Sequence, residues 1–175
     1  YIFISLSIIF CWLIFPNTVL SIFLIVAAYH FGKEDTVFFF KRRFLISEFL
    51  FFLKGSSIIL APLLLQRNET NEIFRFLNFN VFESAIFTDQ LLIVLLFLSF
   101  ISALYISNNK NVDFKGIMIM DFFSLIILNF FLTPILAFTL YFCFLHSIRH
   151  SITLIFELDK SFKSGLKKFI NRAIP

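Results

Sequence analysis

Pro134-Ile135-Leu136-Ala137-Phe138-Thr139-Leu140-Tyr141-Phe142-Cys143-Phe144-Leu145-His146-Ser147-Ile148-Arg149-His150 opens an apolar run that continues to residue 157. At 1.5 Å per residue a helix over this run reaches about 36 Å, enough to cross a hydrocarbon core of about 30 Å. The run decides the fold class, because backbone polar groups in hydrocarbon must be satisfied within their own segment and a helix does this unaided. Two imidazoles four residues apart lie near its end, and that spacing puts them on one helix face. Ionisable groups inside a membrane are costly and point to function.

The rest of the 175-residue chain agrees with this reading. It is 59% hydrophobic and only 15% charged, too few polar groups to cover a soluble surface. An all-α, polytopic transmembrane helix bundle is expected, as a single domain over 1–175. Apolar segments fall at 1–15, 18–31, 44–65, 87–106, 117–132 and 134–157, about six helices. Pro16-Asn17 separates the first two by a tight turn. Thr133-Pro134 either separates the last two or kinks one longer helix. The chain begins at Tyr1 inside an apolar run, which reads as an N-terminally truncated sequence. Cys11 and Cys143 lie in apolar segments and read as buried thiols.

Charge alternates between the connections. Lys33, Lys41, Arg42, Arg43, Lys110 and Lys115 fall on one side, together with Lys160, Lys163, Lys167, Lys168 and Arg172 of a basic tail over 158–175. The other side carries only Arg67 and Arg75, beside Glu69, Glu72, Glu83 and Asp89. The positive-inside rule makes the first side cytoplasmic, in a multi-pass protein of the cell inner membrane. The 66–86 connection mixes apolar and charged residues as an interfacial loop helix does. The basic tail suits anionic membrane lipid. A net charge of +4 without a basic stripe gives no nucleic-acid surface.

Only three histidines are present, and the third, His30, ends the segment that includes Ala28-Tyr29-His30-Phe31-Gly32. On the alternating topology His30, His146 and His150 share the cytoplasmic half of the bundle. Neutral imidazoles suit Fe, Zn, Cu or Ni, and three protein ligands leave positions open for a reactant. A lone helical histidine more commonly bonds a headgroup or a neighbouring helix, so the paired spacing is what singles out His146 and His150. Zincin chemistry is not supported, because Leu145-His146-Ser147-Ile148-Arg149-His150 has no glutamate after its first histidine.

The stretch Tyr141 to His150 resembles the last signature of the Brp/Blh family, the integral-membrane β-carotene 15,15'-dioxygenases of microbes that make retinal. Ala28 to Asp35 resembles that family's His-Phe-Gly-x-x-Asp signature. Lys54-Gly55 followed by Leu60-Ala61-Pro62-Leu63-Leu64 is similar to its basic-Gly and apolar-Pro stretch. The resemblance implies an Fe(2+) centre held by histidines, with His30, His146 and His150 matching three ligands. A further family histidine, in an Asp-His signature, has no counterpart here and is expected before Tyr1. The implied reaction is cleavage of the central double bond of β-carotene by O2 to give two retinal molecules, which an opsin could accept.

Tyr29 and Tyr141 are candidate cavity groups, or interfacial anchors. Asp35 either fixes the tautomer of a ligating imidazole or pairs with a loop lysine. Arg149 meets an acidic partner or a headgroup. Lys54 falls mid-segment and reads as pairing with a carboxylate or carbonyl, while Glu48 and Asp121 stand close enough to segment ends to snorkel or cap. The competing functional class is a membrane protein that binds or transports metal ions or protons.

Overall fold

The computed structural model describes residues 2–37, 45–108 and 112–173, and among these it contains helices and no strand. In chain order they are α1 (Ile2–Ile14), α2 (Pro16–Val37), α3 (Leu45–Leu65), α4 (Arg67–Phe76), a 3-10 turn (Val81–Glu83), α5 (Asp89–Ser107) and α6 (Val112–Phe131). There follow α7 (Pro134–Leu140), a π-helical turn (Tyr141–His146), α8 (Ser147–Leu158) and α9 (Phe162–Ala173). The all-α expectation holds. Lys41, Arg42, Arg43 and Lys110, on which much of the charge asymmetry rests, lie outside the described residues.

Among the described residues three helices are long and apolar enough to cross a membrane: Ser47–Leu65, Asp89–Ser107 and Pro134–Leu158. The expected count of about six is not confirmed. Helix α1 has 13 residues, none of them buried, and α2 ends in the charged run Lys33-Glu34-Asp35. Thr133-Pro134 is a break and not a kink, since α6 stops at Phe131 and Thr133 is extended ahead of Pro134 at the first position of α7. Cys11 and Cys143 are free and exposed, correcting the buried-thiol reading: both sit on outer helix faces, where apolar surroundings are lipid and not core. Exposed Ile22, Phe23, Val94, Phe97, Phe130 and Phe144 share that outer surface, which lipid contact accounts for.

The tightest packing joins α2 to α3. A Cβ on Gly55 would overlap the Ala28 carbonyl and stand 2.6 Å from the Gly32 backbone nitrogen, while one on Gly32 would stand 2.8 Å from the Gly55 nitrogen. Small residues that let two backbones meet are how membrane helices associate where burial from water is absent. Helix α5 is tied to the same α3 by hydroxyls: Ser99 Oγ donates to the Lys54 carbonyl at 3.0 Å and Ser102 Oγ to the Leu50 carbonyl at 2.6 Å. Helix α4 occupies part of the 66–86 connection, and Phe74 joins Phe79, Phe82 and Phe87 in a chain of ring contacts under it.

Beyond α8 the chain turns at Asp159, and α9 crosses the last turn of α8 where Gly165 meets the Ile155 backbone. The Asp159 carboxylate organises this turn. It accepts from Lys168 Nζ at 2.7 Å, the Ser161 N–H at 3.0 Å and Ser164 Oγ at 2.8 Å. Those contacts, the Lys168 ammonium first, hold its carboxyl well below the usual carboxylate range. A depressed folded-state pKa gives stability that is present above the unfolded value of about 3.9 and is lost as pH falls below it. Amide exchange in α9, corrected for intrinsic rates, is therefore expected to stay slow from neutral pH to about 5 and to quicken below about 4. Uniform protection across that window would remove Asp159 from the account.

Candidate metal centre

Helix α2 presents His30, Phe31, Glu34 and Asp35 on one stripe, spaced i, i+1, i+4 and i+5. The continuous rod from Pro134 to Leu158 faces it. Here the three histidines come together: the His30 and His146 ring centroids are 5.6 Å apart and those of His146 and His150 6.2 Å, the latter pair stacked within 5° of parallel. His146 is buried, while His30 is exposed.

Each imidazole of the pair is held by an acid from α2. His146 Nδ1 is 3.0 Å from Asp35 Oδ1, and His150 Nδ1 is 3.1 Å from Glu34 Oε2. An ionised carboxylate only accepts, so Nδ1 is the donor in each contact, and in the neutral imidazole that places the lone pair on Nε2. This is the outer half of a carboxylate–histidine–metal arrangement. Asp35 also accepts from the Tyr141 hydroxyl through its other oxygen.

The π-helical turn explains that convergence. Tyr141 and His146 are five residues apart, which in a regular α-helix would aim them about 140° from one another. The turn is closed by the Ser147 N–H bonding to the Phe142 carbonyl, five residues back. This wider turn lets both side chains reach one carboxylate. Such turns recur at functional sites.

Behind Asp35 lies a buried set of charges. Lys54 is buried in α3 under the electrostatic influence of Asp35 and Asp121. Asp121 of α6 receives both Arg149 guanidinium nitrogens at 2.5 Å. Two carboxylates and two cations thus balance across four helices, as low-dielectric surroundings require. Asp35, Lys54 and Asp121 line a space of about 20 Å³ with Ser57 and Tyr141, room for about one water molecule. A larger apolar cavity of about 340 Å³ lies on the opposite face of α3, among Ala28, Phe52, Ser56, Phe79, Phe82 and Leu95.

Of the residues singled out in the sequence, Asp35 pairs with an imidazole and lies under the influence of Lys54 of α3, not of a loop lysine. Tyr141 is at the centre, and Arg149 has its acidic partner. Tyr29 is elsewhere: its hydroxyl donates to Glu48 and accepts from Lys33 Nζ at 2.6 Å. Glu48 stands in the first turn of α3, the segment-end position expected of it, and accepts from Tyr29 there, while Asp121 is a half-buried ion-pair partner of Arg149. Glu34 and Phe31 were missed. The Phe31 ring meets that of His146 edge-on at 4.6 Å. Glu34 had a signal, its i+4 spacing from His30 on the stripe that faces α8.

The donor set suits a metal through the two carboxylate-anchored imidazoles. Among the described residues, however, no group of three or more His, Cys, Asp or Glu side chains is arranged to hold a metal ion. The pair has this chemistry, and the His30 ring lies 5.6 Å from that of His146 without closing a set of three.

The family described as beta-carotene 15,15'-dioxygenase matches residues 1–175. The chain belongs to that family. Membership supports a β-carotene dioxygenase function in general and implies a carotenoid substrate. No curated protein matches significantly, and no solved structure does so either.

Proposed function

We propose that this dioxygenase-family chain cleaves β-carotene at its central 15,15' double bond with O2, giving two retinal molecules, at a non-haem Fe(2+) site. The observation that carries the reading is the double anchoring of His146 by Asp35 and of His150 by Glu34, which leaves both Nε2 atoms for a metal. His30, whose ring is 5.6 Å from that of His146, is the third ligand. When bound, the iron supplies the binding and activation of O2.

The chain's own residues do the rest. Asp35 and Glu34 fix the imidazole tautomers, and the hydroxyl of Tyr141 fixes Asp35 in turn. Lys54 keeps Asp35 anionic in a buried setting. Phe31 and Phe142 surround His146 with apolar ring surface, at 4.6 and 5.6 Å between centroids, and keep water from the reacting double bond. The reaction balances without further reductant: the C15=C15' bond breaks and each aldehyde receives one oxygen atom of O2.

The site opens to lipid, as a substrate insoluble in water requires. The protein works as a multi-pass protein of the cell inner membrane with its basic loops and tail cytoplasmic, and it delivers retinal to an opsin where one is present. The buried charges balance one another across the bundle, an arrangement that fits a fixed structural and positioning role. Expression of the full-length protein in a β-carotene-producing host with iron is expected to bleach the pigment and accumulate retinal. Unchanged carotene beside correctly inserted, iron-loaded protein would sink the proposal.

A further inference from the structure

Four rings ascend the Pro134–Leu158 rod at i, i+4, i+8 and i+12: Phe138, Phe142, His146 and His150. Successive centroids are 5.9, 5.6 and 6.2 Å apart, and successive planes lie 21°, 24° and 5° from parallel. The column is continuous from lipid-facing phenylalanines to the imidazole pair. Phe138 is 44% and Phe142 41% exposed, whereas His146 is 4% exposed. Phe31 of α2 braces the column from one side, its ring edge-on to Phe138 and Phe142 at 6.1 Å each. Phe31 itself packs against the buried cluster of Ile58, Ala61, Leu125 and Tyr141, so it joins the column to the core.

We propose that the edges of Phe138 and Phe142 form the track on which one half of a carotenoid polyene lies as it enters from the bilayer. This deepens the reading of the histidine pair as a carotenoid-cleaving centre and rests on it. The occupant follows from three observations. The family's substrate is a carotenoid. The column ends on the imidazole pair, so a ligand on it has its next carbons beside His146. The track is also long and narrow: Phe138 stands about 12 Å along the helix from His146, a distance that several conjugated double bonds span and a compact ligand does not. In hydrocarbon an apolar ligand gains nothing by leaving water, so ring-to-polyene packing has to supply the preference.

The test measures carotenoid binding apart from turnover. Metal-free full-length protein in lipid nanodiscs is equilibrated with β-carotene and the co-eluting pigment quantified; iron content and steady-state cleavage are measured separately on loaded protein. Phe142→Ala and Phe138→Ala are each expected to weaken binding by about threefold to tenfold, and Phe138→Ala, one turn further from the imidazole pair, to raise KM with little change in kcat or iron content. Phe142→Tyr keeps the ring and should restore binding. Phe144→Ala, at an exposed ring outside the column, should match the parent. If the parent binds and cleaves carotene while the Phe142→Ala and Phe138→Ala variants bind it equally well, the strip is ordinary lipid-facing surface and the track is overturned alone. If the parent neither binds nor cleaves carotene, the reading of the centre falls with it.

Discussion

Asp35→Asn is expected to lower iron affinity and carotene turnover by about 10- to 100-fold and to destabilise the fold in the same step. The two effects have separate causes. Asparagine offers one acceptor and one donor where aspartate accepts from both Tyr141 and His146. Keeping the Tyr141 bond turns the amide NH2 toward His146 Nδ1, which moves the imidazole proton to Nε2, the atom needed as ligand. The substitution also removes one of two carboxylates that offset Lys54, leaving that buried cation less compensated. His146→Ala removes the anchored imidazole, the proposed ligand, and should abolish turnover. Glu34→Gln, at a half-exposed pair, should do less than Asp35→Asn on both counts. Metal analysis after dialysis, together with thermal melts, separates the effects. An Asp35→Asn protein that retains iron like the parent would contradict the anchoring role.

The second large effect is expected away from the chemistry, at Gly55→Ala. The added methyl meets the Ala28 carbonyl and the Gly32 nitrogen, which are backbone atoms and have no rotamer to escape into. The α2–α3 crossing must open, costing about 3 kcal/mol or more and lowering Tm by roughly 6–12 °C for a chain of this size. Opening it also displaces the stripe that bears His30, Glu34 and Asp35, so iron binding should weaken together with stability. Gly116→Ala is the control, since its Cβ meets nothing within 4 Å; there the gain in helix propensity should leave the protein unchanged or slightly more stable. Equal melting temperatures for the Gly55→Ala protein and its parent would refute the close crossing.

Much of this site was legible in the sequence because it is built from helix periodicity. The i, i+4 spacing put His146 and His150 on one face, and the alternating topology brought His30 to the same end. Asp35 was in view through the His-Phe-Gly-x-x-Asp signature that Ala28 to Asp35 resembles. The π-helical turn was not, since nothing in Tyr141 to His146 marks a change from four-residue to five-residue hydrogen bonding, and the meeting of Tyr141 with His146 at one carboxylate depends on it. The pairing of Arg149 with Asp121 joins helices far apart in the chain, and spacing within one segment carries no information on such a partner. The count of about six spans from apolar runs is not confirmed: among the described residues α1 is short, α2 ends in charge, and three helices meet the length and hydropathy that crossing requires. Apolar neighbours around Cys11 and Cys143 likewise said nothing about which way each thiol faces.

The central claim is cleavage of the middle double bond at the anchored histidine pair, and its most direct test is product chromatography. Purified full-length protein in nanodiscs, loaded with Fe(2+) and given β-carotene and O2, should yield two molecules of retinal for each molecule of carotene consumed. Persistence of carotene by iron-loaded, folded protein, or products of unequal length from an off-centre bond, would contradict the account.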